Sequence, residues 1–208
     1  MSEELVFYTN PMSRARLVRW MLEEVGQPYR TEILEYGTTM KGPDYLAINP
    51  MGKVPAITHK GKVVTECAAI CAYLADAFPD AGLAPPITER ADYYRWLFFA
   101  AGPLDAAIVD KALGRSIPPE RAAMVGYSGL DAVVGAIADA LEGRAFIAAG
   151  HFTAADCYVG ACLSFHMRFA TIERKPVFTA YVERLEARPA FLRSIAIDGA
   201  MPPPRVAA

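Results

Sequence analysis

The chain has 208 residues, of which 53% are hydrophobic and 21% are charged, so it carries enough apolar material for one or two packed domains and too little charge for a disordered chain. Its formal net charge of −2, with acidic and basic residues interleaved, excludes the basic field that nucleic acids require and the polybasic segment that membranes attract. No uncharged run approaches the roughly 20 residues of a membrane span, and the start Met-Ser-Glu-Glu lacks a cationic leader, so we expect a cytoplasmic protein.

The four cysteines do not indicate a metal site. They stand at positions 67, 71, 157 and 162, without a C-x-x-C step and without a histidine at zinc-ligand spacing. Cys67 and Cys71 are four residues apart on one predicted helix and therefore share a face. We expect reduced thiols, buried for the most part, and no bound metal.

Strand and helix patterns alternate along the first 78 residues. The first strand is predicted at Leu5–Tyr8, and apolar residues at helical spacing then predict a helix that Gly26 ends. The remaining predicted elements, in order, are a strand over 29–36, a short helix over 43–48, strands over 54–58 and 62–64, and a helix over 65–78. The order βαβαββα predicts an α/β domain with a mixed sheet and helices on both faces.

Residues 79–87 are rich in proline and glycine, which predicts a linker, and strand patterns are absent after it. Residues 88–208 therefore predict an all-helical domain. Helices are predicted over 88–113 with a kink at Gly102-Pro103, and over 119–141, 153–169 and 176–187; a short turn is predicted over 189–194 and an extended tail over 201–204. Thr153 and Asp156 have the spacing of a capping box at a helix start.

The most informative stretch runs from Asn49 to Ile57. Pro55 opens an apolar run that otherwise has the pattern of a strand, a position that proline tolerates because it cannot donate to the sheet. We expect the Val54-Pro55 bond to be cis and the backbone of Val54 to meet a peptide ligand as one more strand would. Glu66 and Cys67 stand where the next helix should begin, and helix starts bind carboxylates.

This combination resembles the cytosolic glutathione transferases, which pair a strand-opening cis-proline with an acidic residue followed by Ser or Thr at the start of the third helix. The resemblance implies a thioredoxin-like first domain, an all-helical second domain, a homodimer, and glutathione as cosubstrate. It assigns Glu66 to the glutathione α-amino group, Cys67 to the γ-glutamyl carboxylate and the step Val54-Pro55 to the cysteinyl backbone. Lys53 and Lys41 are candidates for the glycyl carboxylate. Cys67 departs from the family pattern of Ser or Thr.

Such an enzyme must favour the thiolate of glutathione, because a thiol with a pKa of about 8.5 is only slightly ionised at pH 7. The loop between the first strand and the first helix should therefore supply a hydrogen-bond donor to the sulfur. Ser13 is the first candidate, and the surrounding sequence is similar to that of bacterial serine-type members. Tyr8 and Asn10 remain alternatives.

Six of the seven residues from Tyr93 to Phe99 are aromatic or aliphatic, more than one buried helical face requires. We expect Tyr94, Phe98 and Phe99 to line a hydrophobic substrate pocket across the domain cleft, with the others in the core or at a dimer contact. The resemblance thus implies transfer of glutathione to a small hydrophobic electrophile. Two alternatives stay open: a glutathione-dependent disulfide or peroxide reductase, and a non-catalytic protein-interaction module.

Overall fold

The structure is a computed structural model that describes residues 4–200. The described residues form two compact units: the first contains residues 4–84 together with 187–200, and the second contains residues 85–186. The division between 84 and 85 falls inside the segment 79–87 that the sequence marks as a linker. The tail predicted over 201–204 lies outside the described residues.

The first unit is built on a four-stranded sheet in the order β2-β1-β3-β4. Its strands are β1 (Val6–Thr9), β2 (Arg30–Ile33), β3 (Ala56–His59) and β4 (Lys62–Thr65). β1 pairs with β2 in parallel, while β3 is antiparallel to both β1 and β4. The predicted mixed sheet is confirmed, with a second strand shorter than predicted. The Val54–Pro55 peptide bond is cis.

The chain forms nine α-helices within residues 4–200, and no helix there is long and apolar enough to cross a membrane. They are α1 (Arg16–Val25), α2 (Pro43–Leu46), α3 (Cys67–Ala77), α4 (Ala91–Phe99), α5 (Asp105–Ala112), α6 (Leu130–Leu141), α7 (Ala154–Arg168), α8 (Pro176–Glu186) and α9 (Pro189–Asp198). The second unit, which contains α4 to α8, has no strand among its described residues. Its predicted helical class is confirmed.

Alternation along β1 places helices on both faces of the sheet. The ring of Phe7 lies 4.9 Å from the Arg19 guanidinium of α1, whereas the ring of Tyr8 lies 5.6 Å from that of Tyr45 in α2. Successive strand residues point to opposite faces, so α1 and α2 cover opposite sides. α1 is also in contact with α3 and with α9.

The last helix was predicted wrongly. The sequence predicts only a short turn over 189–194 and places it with the helical domain, but α9 runs from Pro189 to Asp198 and packs against α1 in the first unit. Pro189 occupies the first turn of the helix, where its missing N–H costs no hydrogen bond. Its contacts with α1, separated from it by more than 160 residues, are invisible to local patterns.

Two predicted helices are interrupted. Between α4 and α5, residues 100–104 form a π-helical turn around Pro103, which cannot donate the regular backbone bond. The continuous helix predicted over 119–141 is wrong, because residues 119–124 form a 3₁₀ turn and α6 begins only at Leu130. Gly129, with φ of 102°, breaks the helical path just before α6.

Asp156 forms the predicted capping box with Thr153 at the start of α7, and it also accepts hydrogen bonds from two residues outside that box. Its Oδ2 accepts hydrogen bonds from the Thr153 amide and hydroxyl, each at 2.9 Å. Its Oδ1 accepts from the Ile147 amide at 2.7 Å and from the Tyr181 hydroxyl at 2.8 Å. Burial raises the pKa of this carboxyl, although the four hydrogen bonds oppose the shift.

We expect Asp156→Asn to lower the free energy of unfolding by about 2–4 kcal/mol, because the new NH2 group would face a buried backbone N–H that then lacks an acceptor and a hydroxyl that must reverse its hydrogen bond. Urea unfolding followed by circular dichroism measures this loss. The exposed Asp139 offers a matched control, and Asp139→Asn should change stability by less than about 0.5 kcal/mol. Equal effects of the two substitutions would contradict the structural role of Asp156.

Candidate functional site

The register of the sheet brings three separate segments to one edge. Tyr8 of β1 lies opposite Ala56 of β3, and Ala56 in turn lies opposite Thr65 of β4. Because β3 is antiparallel to both neighbours, the end of β1, the start of β3 and the end of β4 meet at the same edge. The loop over 10–15, the step Val54-Pro55 and the start of α3 therefore become neighbours, and all three were predicted site segments.

Asn10 fixes the loop that follows β1. Its buried side chain donates from Nδ2 to the Leu34 carbonyl at 2.8 Å and accepts from the Met12 amide at 2.9 Å. The first bond ties the loop to the segment after β2, and the second closes an Asx turn. Both hydrogen bonds of the Asn10 side chain hold the loop in its conformation. The presence of asparagine at this position is therefore explained without any contact to a ligand.

The hydroxyl of Ser13 already has two partners in the loop. It donates to the Asn10 carbonyl at 2.7 Å and accepts from the Ala15 amide at 3.0 Å. A carbonyl can only accept and an amide N–H can only donate, so the direction of both bonds is fixed. To donate to a ligand, the half-buried Ser13 hydroxyl must turn away from Asn10.

Tyr8 occupies a different position from Ser13. Its ring is partly buried and packs against a cluster that includes Met40, Tyr45 and Ala56. Within residues 4–200, the Tyr8 hydroxyl makes no hydrogen bond. Unlike Ser13, Tyr8 could therefore donate to a ligand without giving up an existing hydrogen bond. The geometry therefore keeps both Ser13 and Tyr8 as candidates.

The start of α3 holds an acid on a strained backbone. Glu66 precedes the helix with φ of 69° and ψ of 123°, a backbone conformation that residues other than glycine rarely adopt. The conformation costs about 1–3 kcal/mol, and such strain clusters at ligand sites. Its exposed carboxylate makes no hydrogen bond or ion pair within the described chain and does not cap α3. The helix thus presents an anion-binding N-terminus beside a carboxylate.

Cys67 is the first residue of α3 and is half-buried, unlike the other three cysteines, which are buried. Its Sγ lies 4.0 Å from the carbonyl oxygen of Arg14, in the loop after β1. This contact joins the loop that contains Ser13 to the start of α3. The structure therefore brings Ser13, Glu66 and Cys67 into one neighbourhood.

The backbone before Pro55 is held by two side chains that the sequence analysis did not identify as site residues. The Tyr45 hydroxyl donates to the Lys53 carbonyl at 2.6 Å, and Asn49 Nδ2 donates to the same oxygen at 2.8 Å. Burial raises the pKa of Tyr45 to about 12, so its hydroxyl keeps the proton that it donates. The Asn49-Pro50 turn was a usable signal, whereas nothing local indicated Tyr45.

Lys41 lies over the same segment. Its ammonium donates to the Met51 carbonyl at 3.1 Å, and a Cβ at Gly52 would stand 2.9 Å from Lys41 Nζ and from the Met40 carbonyl. Gly52, with φ of 55°, is therefore the residue that allows this approach. Lys41 thus brings a positive charge to the segment that also contains the exposed Lys53. The side chain of the next residue, Val54, packs inward on the cluster of Met40, Tyr45 and Ala56.

The predicted pocket residues lie together on α4 of the second unit. Phe98 is 70% exposed and Tyr94 is 41% exposed, so neither is a core residue, while the partly buried Phe99 packs against Trp96 with ring centroids 5.3 Å apart. Arg90 donates to the Tyr94 hydroxyl at 3.3 Å. Tyr93 and Trp96 are buried, as expected for the core side of this helix.

Comparison with known proteins identifies the family. Residues 11–77 match the family model for the glutathione S-transferase N-terminal domain. Glutathione S-transferase GstA of Escherichia coli O157:H7 is 30% identical over 162 residues, which are 76% of this chain and 80% of that protein.

Two solved structures share the fold over almost the whole chain. A glutathione transferase from Methylococcus capsulatus str. Bath has a TM-score of 0.75 at 28% identity, covering 94% of this chain and 98% of that one. A sphingomonad glutathione S-transferase, solved in complex with glutathione, has a TM-score of 0.76 at 27% identity, covering 93% and 98%. Sequence and fold agree, and the chain belongs to the glutathione transferase superfamily.

Proposed function

We propose that the protein is an enzyme that transfers the thiolate of glutathione to a small hydrophobic electrophile. The observation that carries the proposal is the meeting of three segments at one sheet edge: the loop over 10–15, the step Val54-Pro55 and the start of α3. Each segment offers a different kind of group, namely a hydroxyl, a peptide backbone and a helix N-terminus with an acid. Glutathione needs all three, since it carries a thiol, peptide bonds and charged ends.

The γ-glutamyl end fits the start of α3. Its α-amino group would meet the Glu66 carboxylate, and its carboxylate would meet the first-turn amides that begin at Cys67. The backbone of Val54 makes no hydrogen bond within the described chain, so it can pair with the cysteinyl residue. Lys53 and Lys41 would attract the glycyl carboxylate.

Ser13 would stabilise the thiolate after an exchange of hydrogen bonds. Turning its hydroxyl to the sulfur breaks the neutral bond to the Asn10 carbonyl, worth about 0.5–1.5 kcal/mol, and forms a bond to an anion, worth about 1.5–3 kcal/mol. The exchange is therefore favourable only when the sulfur is ionised. Ser13 would thus distinguish the thiolate from the thiol, which is the differential interaction that lowers a thiol pKa.

The hydrogen bond from the Ser13 hydroxyl to the Asn10 carbonyl also favours a second candidate function. A Ser13 hydroxyl that stays bonded to Asn10 leaves a fold that binds glutathione without activating it, as a protein-interaction module could. Titration of the ultraviolet absorbance of bound glutathione separates the two functions. A transferase should show a thiolate at pH 7, and a module should show the pKa of free glutathione.

We place the electrophile against Tyr94, Phe98 and Phe99 on α4, because Tyr94 and Phe98 are exposed aromatic side chains, which favour an apolar partner, and the partly buried Phe99 adjoins them in the helix. We also propose that the protein is cytoplasmic, because four free thiols suit a reducing compartment. We further propose that it forms a homodimer, which light scattering can test. Conjugation of glutathione to an aryl halide, assayed beside reduction of a hydroperoxide and of a mixed disulfide, distinguishes transfer from reductase activity.

For Ser13→Ala we expect kcat/KM to fall about 10–100-fold and the midpoint of the pH-rate profile to rise, because the thiolate loses one hydrogen bond. Glutathione affinity, measured by calorimetry below the thiol pKa, should change little. Tyr8→Phe is the matched control, since it removes a hydroxyl and keeps the ring. Should Tyr8→Phe move the midpoint and Ser13→Ala leave it in place, Tyr8 contacts the sulfur.

For Glu66→Gly we expect opposite effects on folding and on binding. Relief of the positive φ should leave the free energy of unfolding unchanged or raise it by about 1 kcal/mol. The loss of the carboxylate should weaken glutathione binding about tenfold, which calorimetry measures. Glu66→Gln keeps the strained backbone and should raise KM more than it lowers kcat. An unchanged KM in both variants would show that Glu66 does not touch glutathione.

Cys67 gives a further test, because a serine hydroxyl is a better donor than a thiol. Cys67→Ser should tighten glutathione binding by up to about fivefold, and Cys67→Ala should be close to neutral. As the half-buried cysteine, Cys67 should also react first with an alkylating reagent, and glutathione should protect it. Equal labelling with and without glutathione, with no gain in affinity for Cys67→Ser, would place the ligand elsewhere.

A further inference from the structure

α9 is fastened along α1 by charged contacts within the first unit. Arg188 makes two hydrogen bonds to the Glu24 carboxylate, at 2.6 and 2.8 Å, and Arg193 donates to Glu23 Oε2 at 3.0 Å. The α9 residue Phe191 packs edge-on against Trp20, with ring centroids 5.0 Å apart. The helix is therefore held in a fixed register on α1, and its C-terminal end comes to lie at the start of α1.

Arg16, the first residue of α1, joins that end to the loop after β1. Its buried guanidinium donates from Nη1 to the Pro11 carbonyl at 3.1 Å and to the Asp198 carbonyl at 3.2 Å, and from Nη2 to the Gly199 carbonyl. The last carbonyls of a helix lack partners inside it, so Arg16 caps α9. The same guanidinium fixes the Pro11 carbonyl, two residues before Ser13.

Arg19 provides a contrast one turn further along α1. It is also buried and also reaches Asp198, with Nε 3.2 Å from Oδ1. Its other hydrogen bonds go to the Tyr29 hydroxyl at 3.0 Å and to Thr31 Oγ1 at 2.8 Å. Arg19 thus shares with Arg16 the burial, the charge and the attachment to α9, while its partners lie outside the loop over 10–15.

We propose that Arg16 is a positioning residue for the thiolate donor, acting on the loop over 10–15 through its hydrogen bond to the Pro11 carbonyl. The inference rests on the proposed role of the loop over 10–15. The Arg16 guanidinium is bonded both to the Pro11 carbonyl and to the end of α9. Its hold on that carbonyl restricts rotation of the peptide group between Pro11 and Met12. The Asn10 bonds fix the beginning of the loop, and Arg16 fixes its middle, which keeps the Ser13 hydroxyl in reach of the sulfur.

The test compares Arg16→Met and Arg16→Lys with the matched control Arg19→Met, each confirmed as folded by its circular dichroism and thermal unfolding. The first measurement is hydrogen exchange in the absence of any ligand at the amides of Met12, Ser13 and Ala15, which are hydrogen-bonded in the loop. We expect these amides to exchange about tenfold faster in Arg16→Met than in the wild type. In Arg19→Met their exchange, corrected for any change in global stability, should equal that of the wild type. Arg16→Lys, which keeps the charge and loses the planar fork, should be intermediate.

The second measurement is the pKa of the bound glutathione thiol, from the ultraviolet absorbance of the thiolate. It should rise by about half to one pH unit in Arg16→Met and stay at the wild-type value in Arg19→Met. Equal shifts in both variants, or none in either, would overturn the proposal, since Arg16 would then act only on stability. If the wild-type protein binds no glutathione, the proposed function fails, and the exchange rates alone decide whether Arg16 positions the loop.

Discussion

The pairing of β3 with both of its neighbours is the constraint on which the site depends. Ala56 lies opposite Tyr8 on one side and Thr65 on the other, so three segments that are distant in sequence end at one edge. A shift of one residue in either pairing would turn β3 over and move Pro55 away from the start of α3. The buried cluster of Met40, Tyr45 and Ala56 opposes such a shift, because the side chains of Tyr8 and Val54 pack against it in the present register.

Around this edge, polar groups are divided between holding the backbone and facing outward. Asn10, Asn49 and Tyr45 use their side chains on carbonyls and amides of neighbouring segments, and each is buried. Glu66 and Lys53 remain exposed, with carboxylate and ammonium available. Ser13 belongs to both groups in our proposal, since its hydroxyl holds the loop and would turn outward toward an anion. The buried groups fix the geometry, and we propose that the exposed groups recognise the ligand.

The sequence predicted the fold class and the segments of the candidate site because both depend on local signals. Proline at a strand start, a glycine turn and alternating apolar residues identified the first unit, and Thr153 with Asp156 identified the start of α7. The extent of α9, the partners of Arg16 and the hydrogen bond of Tyr45 to Lys53 could not be predicted, because each joins residues that meet only after folding. The positive φ of Glu66 was equally hidden, since glutamate gives no local signal for it.

A crystal structure with bound glutathione is the most direct test of this arrangement. We expect the γ-glutamyl amino group against Glu66, the cysteinyl backbone paired with Val54, and the sulfur within about 3.5 Å of a Ser13 hydroxyl that has turned from the Asn10 carbonyl. Glutathione bound away from this sheet edge would contradict the proposed site. A sulfur nearest to Tyr8, with Ser13 still bonded to Asn10, would contradict the role given to Ser13 while leaving the placement of glutathione intact.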